Sequence, residues 1–183
     1  MRNVFSLKNI RRSGAVSRAQ VSQYNLSNVN EAHSVRLITA TYPNPNWTMN
    51  IPYNDIMVVK LDSVVDNTVL AVLNSDPNIP TSGETLSYLG FGSTVANTSA
   101  PQTSSVLQTG ATHYVSFANC AVASDPNGIS LGTSVNDTGV TEGWLCTLTN
   151  NPRVGTCVGD SGSPVIIEGS SASSDLVVGV VSG

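Results

Sequence analysis

Gly159-Asp160-Ser161-Gly162-Ser163-Pro164, running into Val165-Ile166-Ile167, is the stretch on which the reading of this chain turns. A serine stands between an aspartate and a glycine, a second glycine lies two residues before it, and a proline closes the run ahead of three β-branched residues that favour a strand. Glycine adopts backbone angles that other residues resist, so N–H groups can turn inward beside the serine hydroxyl. N–H groups turned that way are the raw material of an oxyanion hole beside a serine hydroxyl. A serine hydroxyl is a poor nucleophile alone; it requires a base, and a group that orients the base. A chain that uses Ser161 must provide both elsewhere.

The 183 residues include only 11% charged side chains, with a net charge of −4. Sparse charge, abundant Ser, Thr, Asn and Gly, and a largely β-branched apolar set indicate an all-β protein of one or two compact units. Arg2, Lys8, Arg11, Arg12 and Arg18 gather at the N-terminus, leaving the remainder distinctly acidic. That balance argues against a nucleic-acid partner. No apolar run reaches the roughly 18 residues of a membrane helix, and the first residues lack the continuous apolar core of a signal peptide. Cys120, Cys146 and Cys157 show no metal-binding spacing, so no metal is expected, and no motif calls for a cofactor. Asn25, Asn46, Asn97 and Asn136 head Asn-x-Ser/Thr acceptors, in keeping with a secreted protein.

Strand-like runs recur at short spacing over 34–41, 55–61, 68–73, 85–91, 106–115, 163–167 and 176–181. Turn-rich breaks at 43–46, 74–83 and 96–103 separate them, and no long segment repeats its apolar residues every 3.6 positions. Many short strands with Gly/Pro punctuation predict a sandwich or barrel. The 74–83 break, with Pro77 and Pro80, reads as a connector between two units.

Asn54-Asp55-Ile56-Met57-Val58-Val59-Lys60-Leu61 sets a carboxylate at the mouth of an apolar strand. By itself Asp55 reads as a turn residue opening that strand. Beside a nucleophilic serine it is placed to hold an imidazole in one tautomer and to stabilise the imidazolium formed in acyl transfer. With both motifs in hand, the chain resembles the chymotrypsin/trypsin family of serine proteases. NDIMVVKLDS resembles the family's aspartate segment and VRLITATYPNPNW the stretch before it. YLGFGSTVANTSAPQTSSVLQTGATHYVSFANC is similar to the strand, loop and strand that lead to a family cysteine. LCTLTNNPRVGTCVGDSGSPV resembles the specificity loop and nucleophile segment, and LVVGVVSG the strand beyond.

The resemblance runs over 20–183 and implies a pair of six-stranded β-barrels. The first, within 20–75, is expected to lack its N-terminal strands. The second, within 76–183, is expected to lack its C-terminal helix, and 1–19 form a segment of unassigned origin. It further implies Ser161 as nucleophile, Asp55 as orienting carboxylate, an oxyanion hole at Gly159 and Ser161, and a Cys120–Cys146 disulfide with Cys157 pairing beyond Gly183. Protein or peptide substrates and an extracellular location follow from the family. By the same resemblance Gly155 forms the base of the substrate pocket, with Thr156 and Ser182 beside it. Without a carboxylate at Gly155, an Arg or Lys side chain would be buried unpaired, so small or medium apolar residues are expected there.

The departure from the family is the base. The family order is His, Asp, Ser, and this chain has two histidines. His113 follows Asp55 on a predicted strand and reads as a surface residue. His33 precedes Asp55, but the sequence directly after it already matches the pre-aspartate strand, so it reads as an ordinary strand residue. The mature N-terminus that pairs with the family's aspartate before the serine has no counterpart, leaving Asp160 without its usual partner. A non-catalytic homologue acting as a protein-binding module is therefore the alternative expectation.

Overall fold

The computed structural model describes residues 5–6, 18–47, 54–95, 99–121, 145–149, 151 and 154–182. They fold into strands β1 (Phe5–Ser6), β2 (Arg18–Val21), β3 (Ser34–Pro43), β4 (Met57–Leu61), β5 (Val72–Leu73), β6 (Thr85–Gly90), β7 (Gln108–Val115), β8 (Cys146–Leu148), β9 (Pro164–Ile167) and β10 (Leu176–Val180). The five-residue helix α1 (Phe117–Ala121) and a 3-10 turn at Ala172–Ser174 are the helical pieces among the described residues. The all-β expectation holds.

The strands form a four-stranded sheet in the order β1-β2-β3-β4 and a six-stranded sheet in the order β5-β10-β9-β6-β7-β8. Neither closes into a barrel among the described residues: β4 is paired on one side only, and so are β5 and β8. β5 falls in the stretch expected to belong to the first unit, yet it pairs in parallel with β10 of the second sheet.

β6 is the spine of the second sheet. It pairs with β7 along its whole length, Thr85↔His113 through Gly90↔Gln108, and with β9 at Ser87↔Ile166 and Tyr88↔Val165. Covered on both faces, Leu86 to Gly90 are buried in an unbroken row, where a half-exposed strand would alternate. Leu89 and Ile166 form a buried cluster against Leu107 and Val177. Each fully buried Leu or Ile side chain contributes about 1.5–3 kcal/mol of transfer free energy.

In the first sheet, β2 turns Ala19 and Val21 inward while Arg18 and Gln20 face out. β3 carries an irregularity between Ile38 and Ala40 in its pairing with β4. Such a bulge exchanges the faces on which later side chains stand.

Two sets of contacts join the sheets. The 24–26 segment lies along 105–107, with Leu26 N–H donating to the Ser105 carbonyl at 2.7 Å and Leu107 N–H to the Tyr24 carbonyl at 2.9 Å. Glu31 stiffens that segment, its two carboxylate oxygens accepting from Tyr24 N–H at 2.9 Å and Asn25 N–H at 2.7 Å. The Cys120–Cys146 disulfide ties α1 to β8 within the second sheet's end of the chain, as the resemblance implies. The second contact between the sheets lies at the site itself.

Candidate active site

The turn carrying Ser161 is built from both ends of β9 and β10. Ser163 N–H donates to the Asp160 carbonyl at 2.8 Å, closing the turn, and Pro164 begins β9 directly after it. Proline is tolerated there because the first residue of a strand need not donate to the ladder. Val181, just past β10, clamps the turn: it accepts from Gly162 N–H at 2.8 Å and donates to the Ser163 carbonyl at 2.8 Å. Gly159 has φ +99°, and a Cβ there would press within 3.2 Å of Gly92 and 3.3 Å of the Thr103 methyl. Only glycine meets both demands without strain.

Asp160 anchors the turn from beneath. Its side chain is buried, with Oδ1 accepting Gly92 N–H at 2.8 Å and Oδ2 accepting Cys157 N–H at 2.9 Å. A Cβ on either Gly90 or Gly92 would overlap this carboxylate. The Gly90-Phe91-Gly92 stretch at the end of β6 is thus a cradle shaped to the Asp160 side chain. Two backbone N–H groups thus hold Asp160, one on each oxygen. Hydrogen bonds to a charged acceptor are worth about 1.5–3 kcal/mol each.

Asp55 reaches the same place from the first sheet. Asn54 adopts φ +59°, a left-handed conformation that asparagine tolerates better than most residues. Ile56 N–H donates to the Asn54 carbonyl at 2.8 Å, and Asn44 N–H to the Ile56 carbonyl at 3.0 Å, so the chain turns sharply before entering β4. Ser182 Oγ then donates to Asp55 Oδ2 at 2.8 Å across 127 positions of sequence. Ser182 neighbours Val181, the residue that clamps Gly162 and Ser163. The aspartate and the serine segment are therefore drawn together through one short piece of chain, 181–182.

Neither histidine joins them. His33 lies just before β3, its Nδ1 2.7 Å from the Glu31 carbonyl, whereas Asp55 lies off the opposite end, where Pro43 pairs with Met57. The ten residues of β3, roughly 30 Å of strand at about 3.3 Å per residue, separate the two. His113 sits against Thr85, with 3.4 Å between its Nδ1 and the Thr85 Oγ1. That is the far end of β6 from the cradle.

Gly155 and Thr156 are exposed ahead of the turn, and a Cβ added to Gly155 would meet no atom within 4 Å. Tyr88 is buried on β6, its ring lying in the space a side chain at Gly110 would fill. Burial raises the Tyr88 phenol above the ordinary tyrosine value, the Gly155 hydrogen bond opposes this, and the Asp160 carboxylate adds to the rise. Cys157 is unbridged among the described residues, with its Sγ 3.7 Å from the Val95 carbonyl. Gly183, Asn97 and Asn136 lie outside the described residues. Motif reading had no means of finding the Ser182–Asp55 bond, the Asp160 cradle or Tyr88. Only the Gly-x-Gly at the end of a predicted strand hinted at the second.

No curated protein matches the chain. The model of the Trypsin family matches residues 8–183, beginning ahead of the 20–183 span over which the quoted segments run. Trypsin-like proteases act on protein or peptide substrates, and the family is one of serine proteases. With all but the first seven residues inside the match, this chain belongs to the trypsin family.

Proposed function

We propose that the chain is a serine-type endopeptidase domain, formed by 20–75 and 76–183, that acts outside the cell. Ser161 Oγ attacks the substrate carbonyl carbon while the N–H groups of Gly159 and Ser161 receive the developing oxyanion. The C–N bond breaks, the amine leaves with a proton, and water later releases the acyl group from Ser161. Asp55 is the orienting carboxylate, with Ser182 holding it in place. Gly155, Thr156 and Ser182 line the pocket for the residue before the cleaved bond. The open space in front of Gly155 and the absence of a carboxylate there favour a small or medium apolar side chain.

The observation that carries this reading is the Ser182–Asp55 hydrogen bond, which links the carboxylate to the clamp of the serine turn. The base is neither His33 nor His113. Loss of a triad member costs about 10⁴–10⁶ in turnover, so hydrolysis by these 183 residues alone is slow. The alternative reading is a non-catalytic homologue that binds protein partners. Hydrolysis of an alanyl peptide ester with and without added imidazole separates the two. A Ser161-dependent rate that rises with imidazole supports the peptidase. A rate identical in the wild-type chain and in Ser161→Ala sinks it. Gly155→Asp should shift preference toward Arg or Lys; unchanged preference would remove Gly155 from the pocket.

A further inference from the structure

We propose that Glu31 is a positioning residue for the Ser161 turn, acting from the first sheet through hydrogen bonds that end on the cradle of Asp160. Its consequence for reactivity rests on the reading of Ser161 as the nucleophile.

Between β2 and β3 the chain leaves the first sheet at Val21 and returns at Ser34, two residues that pair with each other. Ser22 makes the departure with φ +67°, a left-handed conformation that is costly for a residue with a Cβ. Such a conformation persists only where the surroundings hold it. Two turns follow: Asn28 N–H donates to the Asn25 carbonyl at 3.0 Å, and Glu31 N–H to the Asn28 carbonyl at 3.1 Å. They carry Glu31 back over Tyr24 and Asn25, whose N–H groups donate to its two carboxylate oxygens. Hydrogen bonds to an ionised acceptor are roughly twice as strong as neutral ones. The carboxylate is therefore the fastening of this loop.

The fastened stretch is the one that meets the second sheet. Asn25 bridges Val106, flanked by the Leu26–Ser105 and Tyr24–Leu107 hydrogen bonds. The Ser104 hydroxyl stiffens the receiving segment, donating to the Val106 carbonyl at 2.6 Å and accepting from Val106 N–H at 3.1 Å. Ser104 N–H then reaches the cradle, shared between the Phe91 carbonyl at 3.2 Å and the Gly92 carbonyl at 3.1 Å. Gly92 N–H in turn holds the Asp160 carboxylate, and the Thr103 methyl stands 3.3 Å from where a Cβ on Gly159 would lie. Hydrogen bonds and short runs of chain thus join Glu31 to the serine turn. Glu31 fixes where 103–107 stands, and that segment fixes how far Gly92 can recede from Asp160.

The test maps backbone amide hydrogen exchange by NMR in the 183-residue chain and in Glu31→Ala and Glu31→Gln. Acylation of Ser161 by an activated alanyl peptide ester is followed alongside. In Glu31→Ala, exchange at Leu26, Leu107 and Gly92 should quicken about tenfold. Val72 N–H, bonded to the Asp175 carbonyl just before β10, should keep its wild-type rate. Glu31→Gln, which retains one acceptor oxygen, should lie between. The maximal rate of forming the acyl adduct should fall about threefold to tenfold in Glu31→Ala, with half-saturating ester changed by less than about twofold. Equal acceleration of all amides, Val72 included, would make Glu31 a residue of general stability and overturn the proposal. Faster exchange at Leu26 and Leu107 with Gly92 and the acylation rate unchanged would overturn it too. A wild-type chain that is not acylated at Ser161 defeats the peptidase reading instead, and exchange at Gly92 then decides the role of Glu31 alone.

Discussion

The two sheets differ in how they hold their share of the site. The second sheet buries Leu86, Leu89, Phe91, Val165 and Ile166, and the serine turn grows directly out of this packed scaffold. The first sheet buries Ala19 and Val21, but leaves Val35, Leu37, Tyr42, Ile56 and Val58 substantially exposed. Leu86 is 0% exposed, whereas Val58 on edge strand β4 is 65% exposed. Asp55 comes from this lightly packed side, and its hydrogen bond to Ser182 is the link that draws it to the Ser161 turn. The serine turn is thus preorganised by packing, and Asp55 is held to it by a polar contact with Ser182. Preorganised donors cost no rearrangement when charge develops; a carboxylate on a weakly packed edge is easier to displace.

The contrast breaks most readily in the second sheet. Leu86→Ala should cost about 2–5 kcal/mol, the range for emptying a buried site, read as a lowered urea midpoint. A loss below about 1 kcal/mol would mean that β6 is not the spine of a packed core. Gly90→Ala comes next, since the added methyl overlaps the Asp160 carboxylate. Overpacking of this kind costs about 1–3 kcal/mol, and adduct formation at Ser161 should fall with stability.

A pH series reads the same scaffold. Because the folded Tyr88 phenol titrates above its ordinary value of 10.0, both states keep the proton at lower pH and Tyr88 adds no pH dependence there. Once the pH passes that value, the unfolded tyrosine loses its proton first and stability falls. Urea midpoints measured from about pH 9 to about pH 11 should therefore drop, with a shallower drop in Tyr88→Phe. Equal slopes in both proteins would contradict a buried phenol. The smallest effect belongs to the first sheet. Val58→Thr should stay within about 0.5 kcal/mol, as exposed positions usually do, and a larger loss would show that this face is packed in solution.

Much of the strand pattern was legible because side-chain chemistry decides it locally. The 34–41, 85–91, 163–167 and 176–181 runs, rich in β-branched or aromatic residues, became β3, β6, β9 and β10 with ends shifted by no more than a few positions. The 68–73 run shrank to Val72–Leu73, since only those residues find a partner, on β10. β2 and β8 escaped notice because Arg-Ala-Gln-Val and Cys-Thr-Leu are too short and mixed to show a period, and tertiary pairing alone makes them strands. α1, with five residues, is too short for helical periodicity to register.

Within the site, Ser161 and Asp55 stood out because a Gly-Asp-Ser-Gly run and a carboxylate at the mouth of an apolar strand are each distinctive in local sequence. The bond that relates them could not, since Ser182 and Asp55 are far apart in sequence. Tyr88 was hidden for another reason. An aromatic residue in a buried strand reads as core, and only the missing side chain at Gly110 makes room for its ring.

The most direct measurement is the mass-spectrometric map of acyl groups after brief exposure of the chain to an activated alanyl peptide ester and acid quench. If neither histidine serves as base, deacylation is as impaired as acylation, and an acyl group delivered by a good leaving group should persist. The prediction is one acyl group on Ser161, with Ser163 two residues away unmodified, and loss of the adduct in Ser161→Ala. Acylation spread over exposed lysines and tyrosines, with none on Ser161, would contradict Ser161 as the nucleophile.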